Sequence, residues 1–285
     1  MKPSYCVSCV ISPDERDLAM GYWYSLGMQG SAEEIEDGDV RIKVYFGDMH
    51  SADLAKTDLE LRSPKSPVSL FEVENQDWNA KWRESMKPAK LAPHFWVSPT
   101  WLAPPGNDDD HWIKIEPKMA FGTGHHETTR LAAKAIISKK KWIQNKNILD
   151  IGTGSGVLCF VADICGSRSC LGVEIDPDCL ENLEENRQQN THSGDIEFAI
   201  GTLDCLKNDT VFDMVVMNML LTESTPLLPQ VASMLRPGGC LVWSGILLEE
   251  KDTAIENASI IASCVLTKEN VEHEWWCGVF TKSEI

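Results

Sequence analysis

Asn147-Ile148-Leu149-Asp150-Ile151-Gly152-Thr153-Gly154-Ser155-Gly156-Val157-Leu158 is a short apolar run that feeds a glycine-dense turn and then, through Ile164, residues that read as helix. Such a pattern describes a strand whose C-terminal end delivers the backbone to a helix N-terminus. Glycine permits φ > 0 and removes the Cβ that would hold a bulky ligand off the chain, while the first N–H groups of the helix have no partner within it. The junction reads as a ligand floor; the alternative is a turn that serves chain geometry alone.

Spacing narrows the ligand. A dinucleotide fingerprint requires Gly-x-Gly-x-x-Gly, whose third glycine lets helix and strand pack closely beneath a pyrophosphate. Here the pattern is Gly152-x-Gly154-x-Gly156, with Val157 where that third glycine belongs, so a pyrophosphate is the weaker reading. The turn resembles the first motif of class I S-adenosylmethionine-dependent methyltransferases, which implies that Gly152 and Gly154 lie under the amino-acid end of that cofactor.

Around this turn, strands and helices alternate. Strands are expected at 147–151, 170–175, 195–200, 212–217 and 239–244, with helices at 156–165, 177–190, 222–235 and 249–263. That series predicts an α/β fold with a doubly wound parallel sheet. Pro237-Gly238-Gly239 reads as the turn into the fifth strand, and 265–281 as two directly joined strands, hence an antiparallel hairpin at the sheet edge. A parallel sheet closed in this way is methyltransferase-like.

The N-terminal part reads differently. A strand at 5–11 is followed by a helix with Ser12 as N-cap and Pro13 at its first position, ended by Gly27. Strands at 31–36 and 40–46 flank Asp37-Gly38, and a helix at 50–62 and a strand at 67–74 complete a β-α-β-β-α-β order, that of an α+β ferredoxin-like sandwich. The expected division is a first domain over 1–75, a linker over 76–117 and a class I (Rossmann-like) domain over 118–285. The linker carries Trp78, Trp82, Trp96, Trp101 and Trp112 among prolines, a composition suited to packing a domain junction, and a short helix over Asp77 to Met86.

Composition limits the function classes. The 285 residues are 43% hydrophobic and carry a net charge of −17, which disfavours capture of nucleic acid and is compatible with a basic protein partner. No apolar run approaches the roughly 20 residues that cross a bilayer, and no signal peptide is recognisable, so no membrane partner and a cytoplasmic location are expected. The ten cysteines stand mostly alone and read as free thiols; Cys6-x-x-Cys9 lacks the second pair that a zinc site needs. His125-His126 has no third ligand nearby, so no metal is expected.

Two further residues stand where ligands bind. Glu174 ends the second strand 22 residues after Gly152, the distance at which a carboxylate can take both hydroxyls of a ribose and would repel a phosphate. Asp176 can cap the helix that starts near Pro177. Asn218 follows the apolar run Val215-Val216-Met217 at the carboxyl edge of the sheet, where its side-chain oxygen can accept from an incoming amine; the rival role is a cap for the helix near Thr222. Ahead of the glycine turn, Gly122-Thr123-Gly124 makes a flexible loop that reads as a lid and leads into a helix from Glu127 to about Ser138.

Met119 to Leu131 (MAFGTGHHETTRL), Ile148 to Leu158, Gly172 to Pro177, Asn218 to Leu221 and Ser244 to Leu247 together resemble the bacterial methyltransferases of ribosomal protein eleven of the large subunit, the PrmA family. The resemblance extends from about Trp78 to Gly278. It implies a protein N-methyltransferase acting on lysine or N-terminal amines, with S-adenosylmethionine as cofactor and the N-terminal domain recognising the ribosomal protein. The implied cofactor contacts are Thr129, Gly152, Glu174 and Asn218. Glu174 departs from the family's more usual aspartate, and the N-terminal region offers no residue-level match. The chemistry expected is direct displacement at the sulfonium carbon, with Asn218 orienting the amine, Thr123 to Thr129 closing over the cofactor, and the proton lost to water. The rivals are methylation of another protein's lysine or a small amine, a nicotinamide-dependent oxidoreductase, and a silent binding module.

Overall fold

The computed structural model describes residues 4–36, 39–62, 64, 66–73, 86–102, 107, 109–116, 122, 124–190, 193–207 and 210–284. The Asp37-Gly38 turn, Trp78, Trp82, most of the helix expected over 77–86, and Met119 to Phe121 and Thr123 of the expected lid lie outside the described residues. The chain divides into two compact units, Met1–Ser85 and Met86–Ile285.

In the first unit, strand β1 (Ser4–Ile11), helix α1 (Pro13–Ser25), β2 (Met28–Glu36), β3 (Asp39–Phe46), α2 (Met49–Arg62) and β4 (Ser69–Val73) follow in order. The sheet order is β2-β3-β1-β4, every neighbour antiparallel. That is the strand order of a split βαβ unit. Its core joins alternate residues of β1 and β3, among them Val7, Ile42 and Val44, to Trp23 of α1 and Leu59 of α2. The buried Trp23 indole finds its acceptor in Asp58, at 3.0 Å. Cys6 and Cys9 stand three apart in a strand and so face opposite sides, and all ten cysteines are free.

The second unit is built on a seven-stranded sheet: β8 (Asn147–Ile151), β9 (Ser169–Glu174), β10 (Asp195–Ile200), β11 (Phe212–Asn218), β12 (Leu235–Leu247), β13 (Cys264–Glu272) and β14 (Trp275–Lys282). Their spatial order is β10-β9-β8-β11-β12-β14-β13. The first five are parallel; β14 runs antiparallel to β12, and β13 antiparallel to β14. The doubly wound sheet with a terminal hairpin is therefore the fold, with β13 at the edge.

Burial alternates along the central strands as a two-faced sheet requires. Met214, Val216, Val242 and Val279 enter one core with helices α3 (Glu127–Ser138) and α4 (Val157–Ile164). Val215, Met217, Leu241, Trp243 and Phe280 enter the other with Leu228 and Val231 and with Ala254 and Ala258. Helix α5 (Cys179–Gln189) completes the crossover between β9 and β10. Strands β5 (Ala89–Ala92), β6 (Phe95–Ser98) and β7 (His111–Lys114) form a small separate sheet whose Leu91, Phe95, Val97 and Ile113 join the first of these cores.

Two expectations are corrected. The helix expected at 222–235 is three short pieces, α6 (Leu221–Ser224), a 3-10 turn at Thr225–Leu227 and α7 (Leu228–Met234), because Pro226 and Pro229 each remove a backbone donor. Pro237-Gly238-Gly239 does not precede the fifth strand but lies within β12, where the pairing with β11 jumps from Phe212↔Leu235 to Met214↔Cys240. The extra residues form a bulge, with Gly238 at φ 70°. Helix α8 (Lys251–Ala262) follows β12 through a 3-10 turn. Among the described residues no helix is long and apolar enough to cross a membrane.

Candidate active site

The site lies at the carboxyl ends of β8, β9, β11 and β12. Gly152, Gly154 and Gly156 hold φ of 68°, 54° and 80°, values that an L side chain resists. Gly156 is the N-cap of α4, and a Cβ there would meet the Phe198 ring at 2.8 Å. Backbone N–H groups of Gly152 and Thr153 donate to Val173 O of β9 at 2.8 and 3.1 Å, which sets the turn beside the next strand. Beneath it, the buried Asp150 carboxylate accepts from the Thr153 hydroxyl at 2.6 Å. Burial pushes the Asp150 carboxyl up to about 6, against hydrogen bonds from Thr153 and Cys159.

Glu174 reaches back over the turn. Its Oε2 accepts from Gly154 N at 2.9 Å, and its Oε1 from Ile175 N and Asp176 N at 2.9 and 3.2 Å. A carboxylate fixed by three backbone donors keeps acceptor capacity at the edge of the glycine floor. Asp176 accepts from Asp178 N at 3.0 Å, a turn that leads into α5.

Asn218 ends β11. Its amide nitrogen approaches Thr129 Oγ1 at 3.5 Å, while its Oδ1 is buried with no partner among the described residues. Met219 joins this group to the glycine turn, since its Sδ stands 3.2 Å from where a Cβ on Gly152 would be. The next strand fixes Met219: its N–H donates to Ser244 O at 3.1 Å, and a Cβ on Gly245 (φ 86°) would strike Met219 backbone at 2.6 Å. A cavity of about 330 Å³ opens here, lined by His126, Thr128, Asn218, Met219, Leu220, Glu223, Gly245 and Trp275.

Helix α3 supplies one wall and is firmly held. His126 is its N-cap, accepting from Thr128 N, and its ring meets Trp275 edge-on at 5.1 Å. Ser244 Oγ donates to Thr128 O at 2.9 Å. Arg130 and Lys134 both engage Glu272 of β13, at 2.6 and 2.7 Å. Burial tends to raise the Glu272 carboxyl, but the bonds from Lys134 and Arg130 outweigh it and hold the group below the usual glutamate range. His125 pairs with Lys87 O at 2.8 Å. Both histidines thus serve the loop and helix start, and among the described residues no group of three or more His, Cys, Asp or Glu could hold a metal.

The structure brings together Gly154 with Glu174, and Thr129 with Asn218, with Gly152 and Met219 between them. Sequence reasoning missed the cavity walls His126, Glu223 and Trp275, and also Asn182, Asn186 and Asn190, whose amides bond the backbone at Lys114 and Glu116. A signal for the asparagines was present: their spacing of four puts all three on one helix face.

The residues fit a methyl-donor nucleoside: three positive-φ glycines clear the floor, a carboxylate sits at its edge, and Asn218, whose side-chain oxygen is buried without a partner among the described residues, lines the adjoining cavity. The family model described as ribosomal protein L11 methyltransferase (PrmA) matches residues 6–283. A ribosomal protein L11 methyltransferase of Pelobacter propionicus is 31% identical over 272 residues, covering 86% of this chain and 87% of the relative. One of Sorangium cellulosum is 33% identical over 265 residues, covering 90% and 83%. The crystal structure of ribosomal protein L11 methylase from Lactobacillus delbrueckii subsp. bulgaricus superposes with a TM-score of 0.62 at 26% identity, over 69% of this chain and 98% of that one.

Proposed function

The chain belongs to the ribosomal protein L11 methyltransferase (PrmA) family, and on that premise we propose that it transfers methyl groups from S-adenosylmethionine to lysine or N-terminal amines of ribosomal protein L11. The enzyme is a methyltransferase and S-adenosylmethionine is its cofactor. When bound, that cofactor supplies an electrophilic methyl on a sulfonium centre. The single observation that supports the assignment of the acceptor side is Asn218, which lines the cavity next to the glycine turn and whose buried Oδ1 has no partner among the described residues.

In this reading Gly152 and Gly154 give backbone access, and Glu174 accepts from the ribose hydroxyls. Thr129 holds the Asn218 amide so that Oδ1 points to the acceptor. An amine that reaches the cavity as an ammonium, with a pKa of about 10.4 in water, must lose a proton before it can attack. Met219, Leu220 and Trp275 strip water from it and favour the neutral form. Asn218 then accepts from an amine N–H and turns the lone pair toward the methyl. Such positioning contributes about 7 kcal/mol or more. The proton leaves to water, past the exposed Glu223 at the cavity rim.

The nicotinamide reading finds no support, because Val157 at the position of the third glycine is buried in the core. Residues 1–75 are the proposed recognition domain for the ribosomal protein. The test is labelling of a lysate from a strain that lacks this enzyme, using labelled cofactor and the purified protein. One labelled band of the size of L11 supports the proposal, and a labelled band of another size transfers the activity to another protein.

A further inference from the structure

We propose that Asn186 and Ser155 form a hydrogen-bonded relay that couples the glycine turn to both Glu116 and Gly122, and that both are positioning residues for cofactor binding. The inference rests on the reading that the turn holds the methyl donor. Asn186 lies in α5 and is wholly buried. Its Oδ1 accepts from Glu116 N at 2.7 Å, and its Nδ2 donates to Ser155 O at 3.0 Å. Ser155, 1% exposed, then donates its hydroxyl to Gly122 O at 2.9 Å. One residue of the turn thus takes Glu116 through its carbonyl, by way of Asn186, and Gly122 through its hydroxyl.

The neighbours of Asn186 strengthen the Glu116 side. Asn182 Nδ2 donates to Glu116 O at 2.9 Å. Asn190 pairs with both backbone groups of Lys114, accepting from its N–H at 2.9 Å and donating to its C=O at 2.7 Å. Asparagine is a weak helix former, so Asn182 and Asn186 inside α5 oppose helix propensity, while Asn190 is its C-cap. They repay that by satisfying, as a paired strand would, the main chain of Lys114 and Glu116.

The relay reaches the ligand floor directly. Ser155 stands between Gly154, whose N–H is held by Glu174, and Gly156, the N-cap of α4. A ligand that fixes the backbone at Gly154 therefore fixes both bonds made by Ser155. Cofactor binding and the placement of Glu116 and Gly122 become one equilibrium, and the coupling is reciprocal.

The test uses the full-length protein with S-adenosylhomocysteine as probe. Its affinity is measured by calorimetry, and amide hydrogen exchange of the region formed by residues 112–116, 122 and 124–130 is followed with and without it, for wild type, Ser155→Ala and Asn186→Ala. In wild type the probe slows exchange in that region. In each variant the affinity falls roughly five- to tenfold, the equivalent of one hydrogen bond. At saturating probe Asn186→Ala loses the slowing at 112–116, and Ser155→Ala, which removes only the hydroxyl link to Gly122, loses it at 122 and 124–130 and keeps the test open should Asn186→Ala fail to fold. A variant that keeps the wild-type slowing in its own segment at saturation, whatever its affinity, overturns the relay and leaves a structural role alone. Wild type that fails to bind the probe overturns the cofactor reading instead.

Discussion

Asp150→Asn isolates the electrostatic load that the glycine turn carries beneath it. In the wild-type chain this carboxyl is raised from the ordinary aspartate value of 3.8 to about 6, chiefly by burial, with Glu174 adding a smaller push in the same direction. At about 1.4 kcal/mol per pKa unit, the rise corresponds to about 3 kcal/mol. Between pH 3.8 and about 6 the folded chain keeps a proton that the unfolded chain has released. The stabilisation is therefore whole below pH 3.8 and is lost as the pH rises through 6. Asparagine keeps an oxygen for the Thr153 hydroxyl and does not titrate. Urea unfolding of both proteins from about pH 4 to about pH 8 gives the difference in their stabilities, from which the other titrating groups cancel. That difference moves by about 2.5 kcal/mol in favour of Asp150→Asn across the range, the rest being already lost at pH 4, and is flat above about pH 7. Parallel stability curves would refute a buried, proton-holding Asp150.

Asn218→Ala removes an interaction made with the attacking amine, and kcat and kcat/KM fall together by about a hundredfold, as steady-state kinetics at saturating cofactor will read. Unchanged turnover and cofactor affinity would remove Asn218 from the site. Glu174→Gln replaces one acceptor oxygen with a donor that faces backbone N–H groups, so affinity for S-adenosylhomocysteine drops by about tenfold or more in calorimetry. Equal affinity would remove Glu174 from the ribose.

The fold was legible where local chemistry and tertiary burial agree. Strand 147–151 and the helix from Glu127 to Ser138 stand where the pattern puts them, because apolar runs, glycines and helix starts are local signals. The helix expected over 222–235 ran past Pro226 and Pro229, whose missing donors should have divided it. The bulge in β12 was invisible for another reason: Pro-Gly-Gly is turn chemistry, and only the register with β11 shows that pairing resumes on both sides of it.

In the site, the juxtaposition of Gly154 with Glu174 followed from a spacing that any βαβ unit imposes. That of Thr129 with Asn218, 89 residues apart, rested on resemblance alone. The cavity walls were not legible, since His126, Glu223 and Trp275 come from three elements that only the folded sheet assembles. The asparagine face of α5 was legible as a pattern but not as a purpose, because its partners Lys114 and Glu116 lie far away in sequence.

One site, between the glycine turn and Asn218, is proposed to methylate ribosomal protein L11. Intact-mass spectrometry of purified L11, incubated with this protein and S-adenosylmethionine, tests it most directly. Mass gains of whole methyl groups are expected with the wild-type enzyme and little or none with Asn218→Ala. Unmodified L11 in the wild-type reaction, or equal modification by both proteins, would contradict the proposal.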